Sequence, residues 1–237
     1  MAAYESQRFS MLDTIIELET ANKCRMLHSV ILVAQIDPKI DSVYTKICSH
    51  YETLFAKLQK RYQCDAPTGL LLLYSNFSFH FIEAHHTIIL HTIKDLQNLT
   101  LPSDNAFFTN SVILQYLSSV TYSLLPLWKY AILDIPPSGD ESYQPSDSLG
   151  IVVGSVVRTF YKLISIYHKR PKTEAMRFLD RISDRIDLIV PREKLEYLLK
   201  QKELMTPNDF TKIVDKRHTT PLQSDVAWPA PERLFDV

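Results

Sequence analysis

The order of hydrophobic patterns between residues 29 and 135 is the feature that most constrains how this chain can fold. Ser29–Ile36 (SVILVAQI) is a nearly continuous β-branched and apolar run that stops at Asp37-Pro38, which is typical of a central strand ended by a turn. Apolar residues at helical spacing follow and predict a helix from about Ser42 to Lys60. These residues are Tyr44, Ile47, Tyr51, Leu54, Phe55 and Leu58. A buried strand and an amphipathic helix therefore begin the pattern.

Further strands and a second helix continue it. Leu70–Tyr74 and Ser78–Glu83 flank a short polar link and predict a hairpin. A helix that begins near His85 comes next, and Val112–Val120 and Trp128–Ile135 have the composition of two more strands. The order β-α-β-β-α-β-β is that of a ferredoxin-like split βαβ unit with one added strand. The sequence thus predicts an α+β domain.

A linker at Pro136-Pro137-Ser138-Gly139 separates this pattern from a helical one. The apolar stripe of the first helix there consists of Leu149, Val153, Val156, Phe160, Leu163 and Tyr167. Thr173, Pro191 and Thr206-Pro207 predict the starts of three more helices. We therefore divide the chain into an N-terminal arm with a short helix (1–27), the α+β domain (28–137), a helical region (138–216) and an extended tail (217–237).

Charge is distributed unevenly along the chain. Residues 151–237 hold 16 Lys/Arg against 12 Asp/Glu, which leaves 10 against 15 in residues 1–150. A stretch without acidic residues carries much of the basic excess, at Arg158, Lys162, Lys169, Arg170 and Lys172. Such a stretch is either a solvated helix face or a surface for an acidic partner, for example a filament surface or a nucleic acid.

Cysteine usage and the first residues bear on the compartment. Cys24, Cys48 and Cys64 are an odd set without a close pair, which argues for a reducing environment such as the cytoplasm. Glu5 and Arg8 interrupt the beginning of the chain, so we expect neither a signal peptide nor a membrane span there. The longest uninterrupted apolar runs are too short to cross a bilayer, and we expect no membrane partner.

Three short motifs resemble those of the BLUF family. Thr68-Gly69 before a hydrophobic strand resembles its Ile-Thr-Gly element, and Ile82-Glu83 resembles its Leu-Glu-Gly element. Leu125-Pro126-Leu127-Trp128 resembles the Phe-x-x-Trp that leads the last strand, with Leu125 in place of Phe. The resemblance covers roughly Leu27 to Ile135 and implies a BLUF-type sheet. It also leads us to expect Trp128 as a buried anchor of the last strand.

The same resemblance implies where a flavin would bind. BLUF domains hold a flavin between their two helices and sense blue light through a Tyr, a Gln and an Asn, whose positions here are Leu32, His80 and Tyr62. Leu32 has no redox chemistry, Tyr62 is larger than Asn, and Ala84 replaces the last Gly of Leu-Glu-Gly. We therefore expect a degenerate domain without cofactor. The alternative is a sensor that still binds a flavin or another planar ligand.

The helical region and tail add a second resemblance. Together with a degenerate BLUF-type domain, Pro191–Leu204 (PREKLEYLLKQKEL) and a Trp-Pro-containing tail resemble the animal testis-expressed protein 47 family. That resemblance implies expression in sperm and association with the axoneme of the flagellum. It implies a structural or adaptor protein of the cytoplasm and cytoskeleton, whose partners are other axonemal proteins and microtubule-associated assemblies.

Motifs for catalysis, metal binding and nucleic-acid binding are weak. His80, Glu83, His85, His86 and His91 are potential Zn²⁺ ligands, but no zinc spacing relates them, so we expect no metal. No Gly-x-Ser-x-Gly motif or phosphate-binding loop occurs, and we expect no enzyme. The aromatic series Phe77, Phe79 and Phe81 lacks interleaved Lys or Arg, so we expect sheet packing and no nucleic-acid partner.

The tail supplies the last expectation. Trp228, Leu234 and Phe235 lie among prolines and carry more apolar surface than a solvated terminus needs. They either contact a partner or fold back on the chain's own core. With the basic stretch, they are the candidate partner-binding residues.

Overall fold

A five-stranded sheet organises the protein. The computed structural model describes residues 27–39, 42–74, 76–102, 106–133, 148–170, 178, 182, 185 and 188–216. The strands are β1 (Leu27–Ile36), β2 (Thr68–Tyr74), β3 (Phe77–His85), β4 (Phe108–Val120) and β5 (Trp128–Leu133). They are arranged in the order β4-β1-β3-β2-β5. Neighbours are antiparallel except β2 and β5, which are parallel. This is the predicted α+β, ferredoxin-like arrangement with one added strand.

Five helices are described in full. They are α1 (Val43–Tyr62), α2 (His86–Thr100), α3 (Leu149–His168), α4 (Arg192–Leu199) and α5 (Pro207–Asp215). The start of α5 follows the prediction, because the Thr206 hydroxyl accepts a hydrogen bond from the Asp209 N–H at 3.2 Å and Pro207 occupies the first turn. Pro191 immediately precedes α4. The helical C-terminal region is therefore present.

Strand β1 is buried on both faces of the sheet, which explains its continuous apolar sequence. Alternate side chains such as Val30 and Leu32 pack against α1 and α2. The intervening Ile31 and Val33 belong to a second core that includes α3 and α4. Because side chains alternate between faces with a period of two, one strand contributes to both cores. The helical region thus packs directly on the sheet.

Helix α3 covers the second face of the sheet with a single apolar stripe. The Phe160 ring lies 4.7 Å from that of Phe81 and 5.5 Å from that of Phe79, measured between centroids. The buried residues differ partly from the expected stripe: Val152 and Ile164 are buried, whereas Leu149 and Val153 are only partly so. The stripe is rotated because contacts with the sheet and α4, and not only the spacing of apolar residues, determine which face of α3 is buried.

By length and composition, α3 could also cross a membrane. Charged residues interrupt its apolar sequence, so no uninterrupted apolar run marks it. Its apolar face packs on the sheet, and Arg158 and Lys162 lie exposed in the middle of the helix. Both charges would be costly in the hydrocarbon region of a bilayer. Of its 18-residue apolar stretch 28% is buried, so packing on the sheet accounts for part of its hydrophobicity.

Several predicted segments lie outside the described residues. They include the N-terminal arm, the linker at residues 136–139, the tail and most of the helix expected after Thr173. Within that last segment, Phe178 and Ile182 are buried in the same core as α3.

Candidate functional site

The three positions that correspond to flavin contacts lie on the α1/α2 side of the sheet. Leu32 on β1 and His80 on β3 are direct cross-strand partners, and both are buried. Tyr62 is the last residue of α1 and is partly buried. The fold therefore brings Leu32 and His80 together beneath the helices and places Tyr62 at the end of one of them.

Leu32 is fully embedded in the core under the two helices, with 1% of its surface exposed. Its side chain has neither a hydrogen-bonding atom nor a group that donates an electron. At this position the protein supplies packing and no chemistry toward an aromatic ligand.

His80 is buried among aromatic rings. Its Nε2 accepts a hydrogen bond from Trp128 Nε1 at 3.0 Å, and the edge of the Tyr51 ring packs at a centroid distance of 4.6 Å. Burial lowers the pKa of His80 to about 3, so its ring is neutral near pH 7. Because Nε2 is the acceptor, the proton resides on Nδ1, which has no hydrogen-bond partner among the described residues. The imidazole thus positions Trp128 rather than a ligand.

Tyr62 connects the two helices. Its hydroxyl shares a hydrogen bond of 2.5 Å with His91 Nε2 on α2, and the two rings lie 5.3 Å apart. Desolvation, followed by the nearby charges of Arg61 and Lys94, lowers the pKa of His91. The lowered pKa favours the neutral form of the His91 imidazole, which shares a single hydrogen bond with the phenol of Tyr62.

A second polar contact joins the same helices. His50 Nε2 on α1 lies 2.8 Å from Asp95 Oδ2 on α2. We call His50–Asp95 and Tyr62–His91 together the interhelical bridges. Between them the sheet side of both helices is filled by buried aliphatic residues such as Ile89 and Ile93. The helices are therefore held together over a packed interior.

This arrangement does not fit a BLUF flavin. Leu32 offers no hydrogen bond, His80 already holds Trp128, and Tyr62 spans the two helices between which the ring would insert. A ligand at this position would have to break a bridge and displace close-packed side chains, which costs free energy twice. The residues that correspond to the flavin site serve the protein's own core.

Glu83 at the end of β3 organises the segment that leads into β5. Its carboxylate is buried and accepts hydrogen bonds from the hydroxyls of Thr68 and Ser123, at 3.1 and 2.9 Å. It also accepts from the backbone N–H groups of Leu124 and Leu125, at 2.9 and 3.3 Å. The motifs that contain Thr68, Glu83 and Leu125 are thus neighbours in space. They share a structural hydrogen-bond network.

Gly69 is required by the close approach of β2 to β3. Its φ is +150°, and a Cβ atom there would lie 2.1 Å from the backbone oxygen of Phe81. Its own N–H donates to the Leu127 carbonyl at 3.3 Å. The Thr-Gly motif therefore holds the segment before β5 from the other side.

Trp128 differs from the expectation of a fully buried anchor. The indole is partly exposed, and Leu125 is the buried residue of that motif. Trp128 packs edge-on against Phe55 of α1, with centroids 5.3 Å apart, and lines a cleft between α1 and β5. Because β5 is an edge strand, no further strand covers the ring within the described part of the chain.

Among the candidate metal ligands, His85 and His86 are neighbours, with ring centroids 5.5 Å apart. Among the described residues no group of three or more His, Cys, Asp or Glu side chains could hold a metal ion. His80 contacts Trp128, Glu83 accepts four hydrogen-bond donors, and His91 contacts Tyr62. His85 Nδ1 accepts a weak hydrogen bond of 3.4 Å from the Thr87 N–H at the start of α2.

The basic stretch lies on the exposed side of α3 and just beyond it. Arg158, Lys162 and Lys169 are exposed, and their spacing of four and seven residues places them on one helix face. Arg170 is also exposed and lies 4.7 Å from the centroid of the Phe178 ring. Lys172, Trp228, Leu234 and Phe235 lie outside the described residues.

The sequence analysis missed the roles of His50, Asp95 and His91. It considered His91 only as a metal ligand and gave no role to His50 or Asp95. Each bridge joins residues at least 29 positions apart in sequence. These contacts form only where the two helices cross. In the sequence, they are indicated only by His and Asp side chains at positions outside the apolar stripe of each amphipathic helix.

Several solved structures resemble this chain. A bacterial light-regulated adenylyl cyclase is 17% identical with a TM-score of 0.35, over 67% of this chain and 40% of that one. The BLUF domain of BlrP1 from Klebsiella pneumoniae is 18% identical with a TM-score of 0.34, over 46% of this chain and 65% of that one. BlsA in its photo-activated state is 11% identical with a TM-score of 0.36, over 73% and 92%.

The chain spans less than half of the cyclase that it matches. The match to a protein family is more extensive. The model of the family described as Testis-expressed protein 47 matches residues 26–216, which include the whole sheet and all five described helices. The chain belongs to the testis-expressed protein 47 family.

Proposed function

We propose that this protein is a non-catalytic structural or adaptor component of the axoneme of motile cilia and the sperm flagellum. It acts in the cytoplasm as part of the cytoskeleton, without a flavin. The pair of interhelical bridges carries the proposal: the space that a BLUF sensor gives to its ligand is here closed by Tyr62–His91 and His50–Asp95. The family membership, with its testis-expressed name, supports the location.

The polar groups of the core support a non-catalytic role. Glu83 and His80 Nε2 are occupied by internal hydrogen bonds. Burial, with a smaller contribution from the Glu52 carboxylate, raises the pKa of the Cys48 thiol to about 12. Cys48 is therefore protonated and a poor nucleophile at pH 7. None of these groups combines exposure with the activation that a catalytic residue needs.

The exposed basic face of α3 supports a protein partner with an acidic surface. Within the described ranges no carboxylate forms an ion pair with Arg158, Lys162 or Lys169. Three cations on one face, without an ion-pair partner among the described residues, attract an acidic partner over roughly one Debye length, about 8 Å at physiological salt. Axonemal proteins and microtubule-associated assemblies are the partners that we propose for this face.

Charge reversal in the full-length protein tests this attachment. Arg158→Glu/Lys162→Glu is compared with Lys202→Glu/Lys216→Glu, which makes the same charge change at exposed lysines elsewhere. Demembranated sperm flagella carrying either variant are extracted with increasing salt. We expect the α3 variant to be released at lower salt than the control and the native protein. Equal release of the two variants would exclude α3 as the contact surface.

Visible absorption of the purified protein tests the sensor alternative. We expect a colourless protein, since the interhelical space is filled. A yellow preparation with stoichiometric flavin would overturn the non-sensor proposal, whatever the result of the salt extraction.

A further inference from the structure

A cleft of about 420 Å³ lies beside the closed flavin position, between α1 and β5. Phe55 and Trp128 form its aromatic wall, and Pro67 and Pro126 flank it. The Glu52 carboxylate and the Gln59 amide line it from exposed positions on α1. Its volume is within the range of ordinary ligand sites, which are mostly apolar with few polar groups. The cleft is thus a built apolar surface with an acidic side.

We propose that this cleft binds the protein's own C-terminal segment, Trp228-Pro229-Ala230-Pro231-Glu232-Arg233. Proline-rich segments favour the polyproline II conformation and dock in aromatic-lined grooves, because little conformational entropy remains to be lost on binding. Pro229 and Pro231 supply the rigid apolar residues that such a groove accepts. This is the fold-back alternative that the sequence left open for the tail, and it goes beyond the proposed axonemal function.

Charge complementarity sets the direction of the segment. Glu52 lies four residues before Ala56, about 6 Å along α1. In polyproline II, Arg233 lies about 6 Å beyond Pro231. With Pro231 beside Ala56 and the segment antiparallel to α1, we infer that the guanidinium of Arg233 pairs with the Glu52 carboxylate.

The length of the tail permits this contact within one chain. The described residues end at Lys216, after α5, and Phe210 of α5 packs on the same core as Phe55 and Trp128. The cleft and the start of the tail thus lie on the same side of the sheet. From β4 to β5 there are four strand spacings, about 19 Å. The 11 residues between Lys216 and Trp228 extend to about 36 Å, which exceeds this lateral distance.

Cysteine pairing in the full-length chain tests the position of the segment. Ala56→Cys/Ala230→Cys places one thiol in the cleft and one in the segment. Lys57→Cys/Ala230→Cys is the matched control, because residue 57 is exposed on α1 but does not line the cleft. After mild oxidation, linked peptides are identified by mass spectrometry without reduction, which also separates them from pairs involving the native cysteines.

We expect the 56–230 pair to form within one chain, because a tethered site has an effective concentration in the millimolar range. Its yield should be about ten times that of the 57–230 pair, because residue 56 lines the cleft that holds the segment and residue 57 does not. Equal yields would overturn the proposal. Disulfide-linked dimers in place of intrachain pairs would also overturn it, since they would assign the cleft to the tail of a second copy.

Charge exchange tests the ion pair independently. In the Ala56→Cys/Ala230→Cys background, Glu52→Arg and Arg233→Glu should each lower the yield about two- to fivefold, the range for an exposed pair. The combination Glu52→Arg/Arg233→Glu should restore it. Glu203→Arg, at an exposed site away from the cleft, should leave it unchanged. If the combined variant does not recover the disulfide yield and Glu203→Arg leaves that yield unchanged, the Glu52–Arg233 contact is excluded.

Discussion

The two faces of the sheet are stabilised in different ways. The α3 face is packed largely by aromatic and aliphatic side chains, with Phe79, Phe81 and Phe160 at its centre. The α1/α2 face combines a core of aliphatic and aromatic side chains with buried or partly buried polar contacts, namely the interhelical bridges and the Trp128–His80 hydrogen bond. One strand, β1, serves both faces. Polar contacts therefore occur on both faces, as the Glu83 network on the α3 face and as the interhelical bridges on the other, but only on the α1/α2 face do they join two helices to each other.

The largest effect is expected on the α3 face. Phe160→Ala removes a ring that contacts both Phe79 and Phe81, and it should lower the free energy of unfolding by about 3–5 kcal/mol. Denaturant unfolding at pH 7 and pH 5 measures it. Because no titrating group is removed, the loss should be the same at both pH values. A loss below about 1 kcal/mol would contradict the assignment of α3 to the core.

Glu83→Ala should have the next largest effect. It leaves the N–H groups of Leu124 and Leu125 and two hydroxyls without their acceptor, which costs about 1–3 kcal/mol for each buried group that water does not reach. We expect a net loss of about 3 kcal/mol. Thermal unfolding measures it, with the exposed Glu203→Ala as the silent control. Equal melting temperatures of the two variants would show that the network does not hold the segment before β5.

The pH dependence of stability should arise mainly on the α1/α2 face. The pKa of His80 is about 3 in the folded protein and near 6.5 when unfolded, so the unfolded chain binds the proton first. Stability from this residue is complete above pH 6.5 and is lost as the pH falls toward 3. The loss at pH 5 should be about 2 kcal/mol. His28 and His91, whose pKa values are also lowered, act in the same direction.

Urea unfolding between pH 5 and pH 7.5 separates these contributions. His80→Gln should flatten most of the slope, whereas Phe160→Ala should retain it. A His80→Gln variant with the native pH slope would show that His80 is not the buried neutral histidine described here.

Tyr62→Phe should have the smallest effect. It removes the hydroxyl that contacts His91 while preserving the ring, so about 0.5–1.5 kcal/mol of stability should be lost. Tyr122→Phe, at a residue 70% exposed, is the control and should change nothing measurable. In addition, the pKa of His91 measured by NMR should change only in the Tyr62 variant. An unchanged His91 titration would argue against this bridge.

Local patterns predicted most of the elements. The continuous run of β1, the hairpin of β2 and β3, and the Thr206-Pro207 start of α5 were correctly inferred, because strand pairing and helix capping are encoded within a few residues. Helix α2 extends to Thr100. Its last turn contains the buried Leu99, three residues after Leu96, and the Thr100 hydroxyl donates a hydrogen bond to the Leu96 carbonyl.

Burial at the edge of the sheet was less predictable. Trp128 was expected inside, since large aromatic residues usually bury most of their surface. In the structure it belongs to the outermost strand, so its exposure depends on what lies beyond β5. The sequence does indicate Thr68, Glu83 and the Leu125–Trp128 segment as one motif set. It does not indicate that a single carboxylate connects them.

The sequence by itself determined the class of fold, the order of its elements and the apolar side chain at Leu32, because these depend on side-chain type and local spacing. Only the tertiary structure decided the contacts around Leu32 and between the two helices. The Tyr62–His91 and His50–Asp95 bridges, the buried neutral His80 and the cleft beside Trp128 all depend on distances between residues far apart in the chain. Such distances arise only when the two helices cross over the finished sheet, and no local pattern encodes them.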